Sequence, residues 1–142
     1  AIVAAGHQRC STASNHSLDR GVAGIERTLE VLAEWGVSQH GMARTPEEIE
    51  PSVIDIGGIA LSHLSYTYSY NGLQPPRGEP WRSALIDPGR IIDDAQRARE
   101  RGAEVVVISM HWGGEGNHSV TALQRSQAEA ITGSGLVDLI VG

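Results

Sequence analysis

The chain has no lysine, no phenylalanine and a single cysteine, Cys10, among its 142 residues. All eleven basic residues are therefore arginines, and the net charge is −6. An acidic chain without clustered cations lacks the positive surface that nucleic acids require, so we predict no nucleic-acid partner. One cysteine excludes an internal disulfide and leaves the redox environment undetermined.

Long apolar segments are also missing. No run of about 18 apolar residues occurs, so no segment is expected to span or contact a membrane, and no secretory signal is recognisable. The sequence starts within what looks like the end of a helix, at residues 1–6, and stops within a strand-like run, at residues 136–142. We therefore expect residues 1–142 to form one domain that is an internal fragment of a longer protein.

Apolar periodicity predicts a mixed α/β fold. Helical spacing and end signals favour helices at residues 21–35, 88–101 and 120–132, and residues 45–50 resemble a short capped turn of helix. Apolar runs predict strands at residues 8–13, 104–110 and 136–141. Strands that alternate with helices in this order indicate a mixed sheet covered by helices.

One hairpin is expected in the middle of the chain. Two strand-like runs, residues 53–56 and 59–66, are joined by Gly57-Gly58, which permits the positive φ angles of a two-residue turn. The irregular stretch that follows, residues 67–86, is long enough to suggest a functional or mobile loop.

Two polar segments follow predicted strands: residues 14–19 (SNHSLD) and residues 111–115 (HWGGE). In open α/β sheets, ligands bind beyond the carboxyl ends of strands, and an Asn-His pair facing a second histidine is compatible with a metal site. The residues alone leave other interpretations open. Asn15 and His16 also suit a turn and a helix cap, and His111 also suits an ordinary polar residue at a strand end.

Several motifs in the same order resemble the CapA-type capsule synthesis proteins, also called poly-γ-glutamate synthesis proteins. The resemblance covers nearly the whole chain. The residues that carry it are 13–19 (ASNHSLD), 64–68 (LSYTY), Asn71-Gly72, Trp81, Ile86-Asp87 and 106–115 (VVISMHWGGE).

The resemblance implies a calcineurin-like metallophosphoesterase fold, an α/β sandwich with a two-metal site. It implies that Asn15 and His111 bind divalent metal, and that His16 acts near the leaving-group oxygen as a general acid or an electrostatic clamp. Asp19 would then fix the tautomer of His16, although it would serve equally well as a helix N-cap. Glu115 is expected to line the same cleft or to be a solvated loop acid.

The other histidines are expected to have structural or surface positions. His63 lies within a predicted strand, which favours a packed or hydrogen-bonded structural role. His118 precedes a helix that it is suited to cap. We expect His7 and His40 to lie on the surface.

Two parts of the family pattern are not present in this sequence. The family's first strand carries a Gly-Asp motif that has no counterpart here, and its Gly-His-x-His motif would begin at Gly142. In addition, Ser14 stands where Asn is common, and Gly116 where an aromatic residue is common. We therefore expect the metal site to be incomplete within these 142 residues.

The sequence and the resemblance leave two functions open. The first is capsule or poly-γ-glutamate biosynthesis by a metal-dependent, phosphoesterase-like hydrolase, and the second is a non-catalytic subunit of a polymer synthesis and export complex. The expected partners are proteins of that complex, or an anionic polymer or phosphoester substrate. The resemblance also implies that the parent protein is membrane-anchored and extracytoplasmic.

Overall fold

The computed structural model describes residues 3–142. Two short 3-10 turns lie at Val3–Ala5 and Pro80–Arg82. The helices and strands of the described chain follow in the order β1 (Arg9–Ser11), α1 (Gly21–Glu34), β2 (Ser38–His40), β3 (Ile54–Ile56), β4 (Ile59–Thr67), α2 (Pro88–Glu100), β5 (Val105–His111), α3 (Ala122–Thr132) and β6 (Leu139–Val141).

The strands form two sheets. The larger sheet has the order β3-β4-β5-β6, in which β3 runs antiparallel to β4 and the other neighbours are parallel. The smaller sheet is the parallel pair β1-β2. The mixed α/β fold class predicted from the sequence is confirmed.

The predicted hairpin is present, and it turns at Gly57-Gly58. Ile56 pairs with Ile59, and the two glycines between them have φ angles of 64° and 88°. Two positive φ angles in a two-residue loop define a type I′ turn, whose twist matches that of the flanking strands.

Helices α2 and α3 cover one face of the larger sheet. Alternate residues of β4 and β5 point into this layer because successive side chains of a strand face opposite ways. The main core packs buried side chains from the two strands against those of the helices: Leu64, Tyr66, Val106, Ile108, Met110, Ile91, Ala95, Ala98 and Ile131.

A second apolar cluster lies beneath α1. Ile25 and Leu29 of this helix pack there with Leu18, Met42 and Tyr70, all of which are buried. Leu18 belongs to the polar segment after β1, and Tyr70 belongs to the long connection after β4. The cluster therefore holds two loops that are far apart in sequence on the same part of the molecule.

Strand β3 pairs with only the first residues of β4. Farther along the same edge of β4, side chains from the smaller sheet form hydrogen bonds with its backbone. The Arg9 guanidinium donates to the carbonyl oxygen of His63 over 2.8 Å, and the backbone N–H of Ser65 donates to Nδ1 of His40 over 2.9 Å. These contacts satisfy backbone groups that a strand would otherwise pair. They connect the two sheets through side chains, without a continuous ladder of backbone hydrogen bonds between strands.

His40 corrects one of the sequence predictions. It was expected on the surface, but only 1% of it is exposed. Its Nδ1 accepts from Ser65, and its Nε2–H donates to the carbonyl oxygen of Ile49 over 3.0 Å. Burial, together with the nearby Arg9 charge, lowers the pKa of His40 to about 3, so the ring stays neutral in the folded protein.

The long connection from residue 67 to residue 86 is partly extended. Its last residues lie between the end of β4 and the segment after β2, because Ala84 donates to Gly41 O over 2.9 Å and Thr67 donates to Ala84 O over 2.9 Å. Ile86 then donates back to Thr67 O over 2.8 Å. The stretch thus links the two sheets through backbone hydrogen bonds.

Several predicted boundaries differ from the structure. Strand β2 was not predicted, since three residues are too short for a periodic signal. Residues 45–50 form hydrogen-bonded turns in place of a helix, and the outer strands β1 and β6 are shorter than expected. His111 is the last residue of β5, and not the first residue of the loop.

Candidate functional site

A shallow cleft lies at the carboxyl ends of β1, β5 and β6. Its volume is about 400 Å³. This is the sheet edge at which ligands bind in open α/β folds. The lining residues come from the three strand ends: Ser11, Ala13, Ser14, Ser109, Met110, His111, Val141 and Gly142.

The segment after β1 is a series of tight turns stabilised by serine side chains. The Ser14 N–H donates to Ser17 Oγ over 2.9 Å, and the His16 N–H donates to Ser14 Oγ over 3.2 Å. Ser17 Oγ donates to Thr12 O over 3.0 Å, which ties the segment to the strand end. Short polar side chains that bond to nearby backbone groups favour such turns. They fix the position of Asn15 and His16.

His16 and Asp19 form a hydrogen-bonded pair at the rim of this segment. The distance from His16 Nδ1 to Asp19 Oδ2 is 2.8 Å, and the two side chains are 66% and 48% exposed. The capping alternative for Asp19 is wrong, since Arg20 occupies the N-cap position of α1 and no side chain caps that helix. A carboxylate acceptor at Nδ1 places the ring proton there and leaves Nε2 directed away.

Asn15 faces the connection that follows β4. Its Nδ2 group donates to Oδ1 of Asn71 over 3.2 Å. With the amino group engaged, the carbonyl oxygen Oδ1 of Asn15 is the atom available to a ligand. An amide oxygen is a suitable donor for a hard divalent cation.

His111 ends β5 with an exposed side chain. The Tyr68 ring stacks on the imidazole with ring centroids 6.0 Å apart and an interplanar angle of 24°. The Tyr68 N–H also donates to the His111 carbonyl over 3.0 Å. These two contacts orient the imidazole beside the cleft.

The remaining histidines are not part of the cleft. His63 Nε2 hydrogen-bonds to Ser109 Oγ over 2.8 Å, which confirms its structural role. His118 is exposed and does not cap α3. That helix has a capping box, in which Thr121 and Gln124 satisfy each other's backbone N–H groups.

The whole sequence matches one protein family, described as bacterial capsule synthesis protein PGA_cap, over residues 1–142. The chain belongs to the PGA_cap family. This membership confirms the resemblance that the ordered motifs indicated.

Two curated relatives show the extent of the similarity. The "Capsule biosynthesis protein CapA" of Bacillus anthracis is 24% identical over 146 residues, which cover 100% of this chain and 35% of the relative. The "PGA biosynthesis protein CapA" of Bacillus subtilis (strain 168) is 27% identical over 135 residues, which cover 93% of this chain and 35% of the relative. The chain thus spans about a third of the length of each relative.

This PGA_cap chain offers ligand atoms of a type that suits a divalent metal, but too few of them to complete a site. Asn15 Oδ1 and an imidazole nitrogen of His111 are suitable ligand atoms. Among residues 3–142, however, no group of three His, Cys, Asp or Glu side chains is placed to hold a metal ion. Two donors from these residues would need further ligands to complete a site. Within the same residues, no helix is long and apolar enough to cross a membrane.

Three residues that contact the candidate site were not singled out from the sequence. Ser14 both lines the cleft and orients the backbone of His16. Tyr68 stacks on His111, and Asn71 bonds to Asn15. The only signal for the last two was their presence in the shared motifs, because nothing in their spacing predicts a contact of Tyr68 with His111 or of Asn71 with Asn15.

Proposed function

We propose that this chain forms part of the active site of a capsule or poly-γ-glutamate biosynthesis protein that acts as a metal-dependent, phosphoesterase-like hydrolase. The observation that carries the proposal is the His16–Asp19 pair. It lies on the loop whose Ser14 shares a cleft with His111. Family membership supports the pathway, while the reaction rests on these side chains.

His16 is the residue suited to proton transfer. Because Asp19 accepts from Nδ1, the Nε2 atom is the one that would exchange a proton with a leaving-group oxygen. The hydrogen bond to the carboxylate also keeps the ring from rotating. We assign His16 the role of general acid or electrostatic clamp, and Asp19 the role of its orienting partner.

Asn15 Oδ1 and His111 would be the ligands that this chain contributes to a divalent metal site. A metal ion bound there would polarise a phosphoryl oxygen and orient the substrate. We propose that other parts of the complete protein supply the remaining ligands. The substrate class would be a phosphoester or an anionic polymer.

A non-catalytic role is the second candidate, and one observation favours it. The described residues provide only two of the proposed ligands, and no cluster of three candidate side chains occurs among residues 3–142. A subunit of a polymer synthesis and export complex would keep the fold without completing a metal site. Proteins of that complex would then be its partners. For either function, we propose the location that the family resemblance implies, an anchored protein outside the cytoplasm.

Substitution of His16 and of His111 separates their proposed roles in the complete natural protein. His16→Ala should lower the hydrolysis of a chromogenic phosphodiester by about 10²–10⁴-fold while metal content is retained, because general acid–base help has that magnitude. His111→Ala should remove metal, because a direct ligand is lost. Metal content and turnover are measured on the same samples.

The matched control for this experiment is His7→Ala, which removes an exposed imidazole remote from the cleft. It should retain both metal and turnover. Equal loss of metal in the His16 and His111 variants would make His16 a ligand. A metal-loaded wild type that hydrolyses no phosphoester would favour the non-catalytic subunit.

A further inference from the structure

We propose that Asn71 is a positioning residue, which engages the amino group of the Asn15 amide and leaves its oxygen free for a ligand. The inference rests on the proposed function, in which Asn15 Oδ1 binds metal. Its basis is the hydrogen bond of 3.2 Å from Asn15 Nδ2 to Asn71 Oδ1, across 56 residues of sequence.

The backbone of Asn71 belongs to a tight turn. The Leu73 N–H donates to Tyr70 O over 2.9 Å, and the two residues between them, Asn71 and Gly72, have φ angles of 53° and 83°. Asn71 is the only non-glycine residue among residues 3–142 with a positive φ angle. Glycine would adopt this conformation at lower cost. Asparagine followed by glycine is nevertheless a favoured pair in such a turn, so the turn fixes the Asn71 backbone, and the contact of its side chain with Asn15 is a separate observation.

The turn is anchored to the interior through Tyr70. Only 2% of Tyr70 is exposed, and its hydroxyl donates to Ser83 O over 2.7 Å. The ring packs in the second apolar cluster with Leu18, which lies three residues beyond Asn15. The same buried cluster thus fixes both loops, so the Asn71 acceptor is held in a defined place relative to Asn15.

The contact selects one of the two orientations of the Asn15 amide. A carboxamide presents its oxygen and its amino group on opposite sides, and a 180° rotation exchanges them. When Asn71 Oδ1 accepts from the amino group, the oxygen of Asn15 is directed to the other side, where it would be free to bind the proposed cation. Without this acceptor, both orientations become accessible, and the donor atom is present for only part of the time.

The test is a double-mutant cycle in the complete natural protein, with Mn²⁺ affinity measured by electron paramagnetic resonance. Asn71→Gly keeps the positive φ angle but removes the acceptor, so Mn²⁺ affinity should fall by about 10-fold or more, as for other partners of metal ligands. Asn71→Asp keeps both the turn and an acceptor, so affinity should not fall. In an Asn15→Ala background, Asn71→Gly should have no further effect, because it acts through Asn15.

Asn117→Gly is the matched control, since the side chain of Asn117 bonds only within its own loop, to the Ser119 N–H. This variant should bind Mn²⁺ as the wild type does. Unchanged affinity in Asn71→Gly, or an equal loss in the presence and absence of Asn15, would overturn the proposal. The first result would show that no positioning occurs, and the second that Asn71 acts independently of Asn15.

A second readout needs neither metal nor activity. In protein labelled with ¹⁵N-asparagine, the Asn15 side-chain NH₂ signals are assigned by their loss in Asn15→Ala. Exchange of these hydrogens with water should be faster in Asn71→Gly and unchanged in Asn71→Asp. Equal exchange in all three proteins would contradict the positioning role. A wild type that binds no Mn²⁺ but shows the expected exchange pattern would refute the proposed metal site and leave the role of Asn71 intact.

Discussion

At the scale of single residues, the imidazoles of His40 and His63 are both held in hydrogen bonds within the fold. His40 is enclosed, accepts a backbone hydrogen bond at Nδ1 and donates one at Nε2. His63 is partly buried, and burial lowers its pKa to about 4. Both rings remain neutral over the range in which free histidine becomes charged. The neutral His40 ring therefore supports the contact between the two sheets, whereas the His63 ring bonds to Ser109 within the larger sheet.

Acid should destabilise the fold through these two rings. The pKa of His40 in the folded protein, about 3, lies below the ordinary value of 6.5, so the unfolded chain binds a proton first. The contribution of His40 is complete above pH 6.5 and decreases as the pH falls toward 3. A proton taken up on unfolding corresponds to about 1.4 kcal/mol per pH unit.

Urea denaturation between pH 4.5 and pH 8 measures this effect. In His40→Gln, the free energy of unfolding should fall less steeply with acid than in the wild type, by a slope difference approaching about 1.4 kcal/mol per pH unit. His7→Gln, a substitution at an exposed ring, is the matched control. Parallel curves for the wild type and His40→Gln would show that the buried ring does not titrate on unfolding.

The sequence could identify the candidate residues but not the environment of each one. His63 was correctly predicted to be structural because it lies inside a periodic strand. His40 follows a segment without a clear period, and its burial depends on Ser65 and Ile49, which are distant in sequence. A local pattern carries no information about such partners.

At the scale of elements, α2 is fixed to the sheet by a buried polar contact as well as by apolar packing. The Tyr66 hydroxyl donates to Asp94 Oδ2 over 2.8 Å, and both side chains are enclosed. Arg97 pairs with the same carboxylate and also lies 3.2 Å from Glu50. Burial raises the pKa of Asp94, and the donors around the carboxylate oppose that shift.

Tyr66→Phe should destabilise the protein by about 1–3 kcal/mol, because it removes a donor from a buried carboxylate without changing the shape of the core. Tyr68→Phe provides the matched control at a ring that is 50% exposed, and its effect on stability should be within about 0.5 kcal/mol of zero. Chemical denaturation of the two variants gives both values. Equal stability of the two would show that the Asp94 contact contributes nothing.

Substitutions at Gly57 test the backbone conformation of the hairpin turn. A Cβ at Gly57 would meet no atom within 4 Å, so Gly57→Ala should cost about 1–2 kcal/mol through its positive φ angle alone. Gly57→Asn should cost much less, because Asn-Gly is favoured in type I′ turns. Thermal unfolding compares the two variants, and similar melting temperatures would argue against the assigned turn.

Elements with a strong local signal could be predicted from the sequence, and short ones could not. Helices α1 and α2 and the Gly57-Gly58 hairpin follow from periodicity and turn chemistry. Strand β2 is held by its partner β1 and by the His40 contact, and three residues give no period. Residues 45–50 have the composition of a helix start, but they form only turns, because no apolar stripe continues the pattern.

At the scale of the whole molecule, two apolar cores place the cleft. The main core holds β5 and thus His111, whereas the cluster beneath α1 holds Leu18 and Tyr70 on either side of the Asn15–Asn71 contact. The hydrogen bonds between residues 41–43, 67 and 82–86 connect these two parts. The motifs could indicate which residues to consider together, but the contact between Asn15 and Asn71 depends on packing between segments more than 50 residues apart.

The central claim is that Asn15 and His111 belong to one metal site at this edge of the sheet, with His16 beside it. The most direct measurement is a crystal structure of the complete protein grown with Zn²⁺, with anomalous scattering used to locate the metal. The account predicts zinc about 2.0–2.2 Å from Asn15 Oδ1 and from a ring nitrogen of His111, either as one ion or as two ions about 3.5–4 Å apart. Zinc bound only elsewhere, or Asn15 and His111 separated by well over about 10 Å and thus beyond a shared two-metal site, would contradict it.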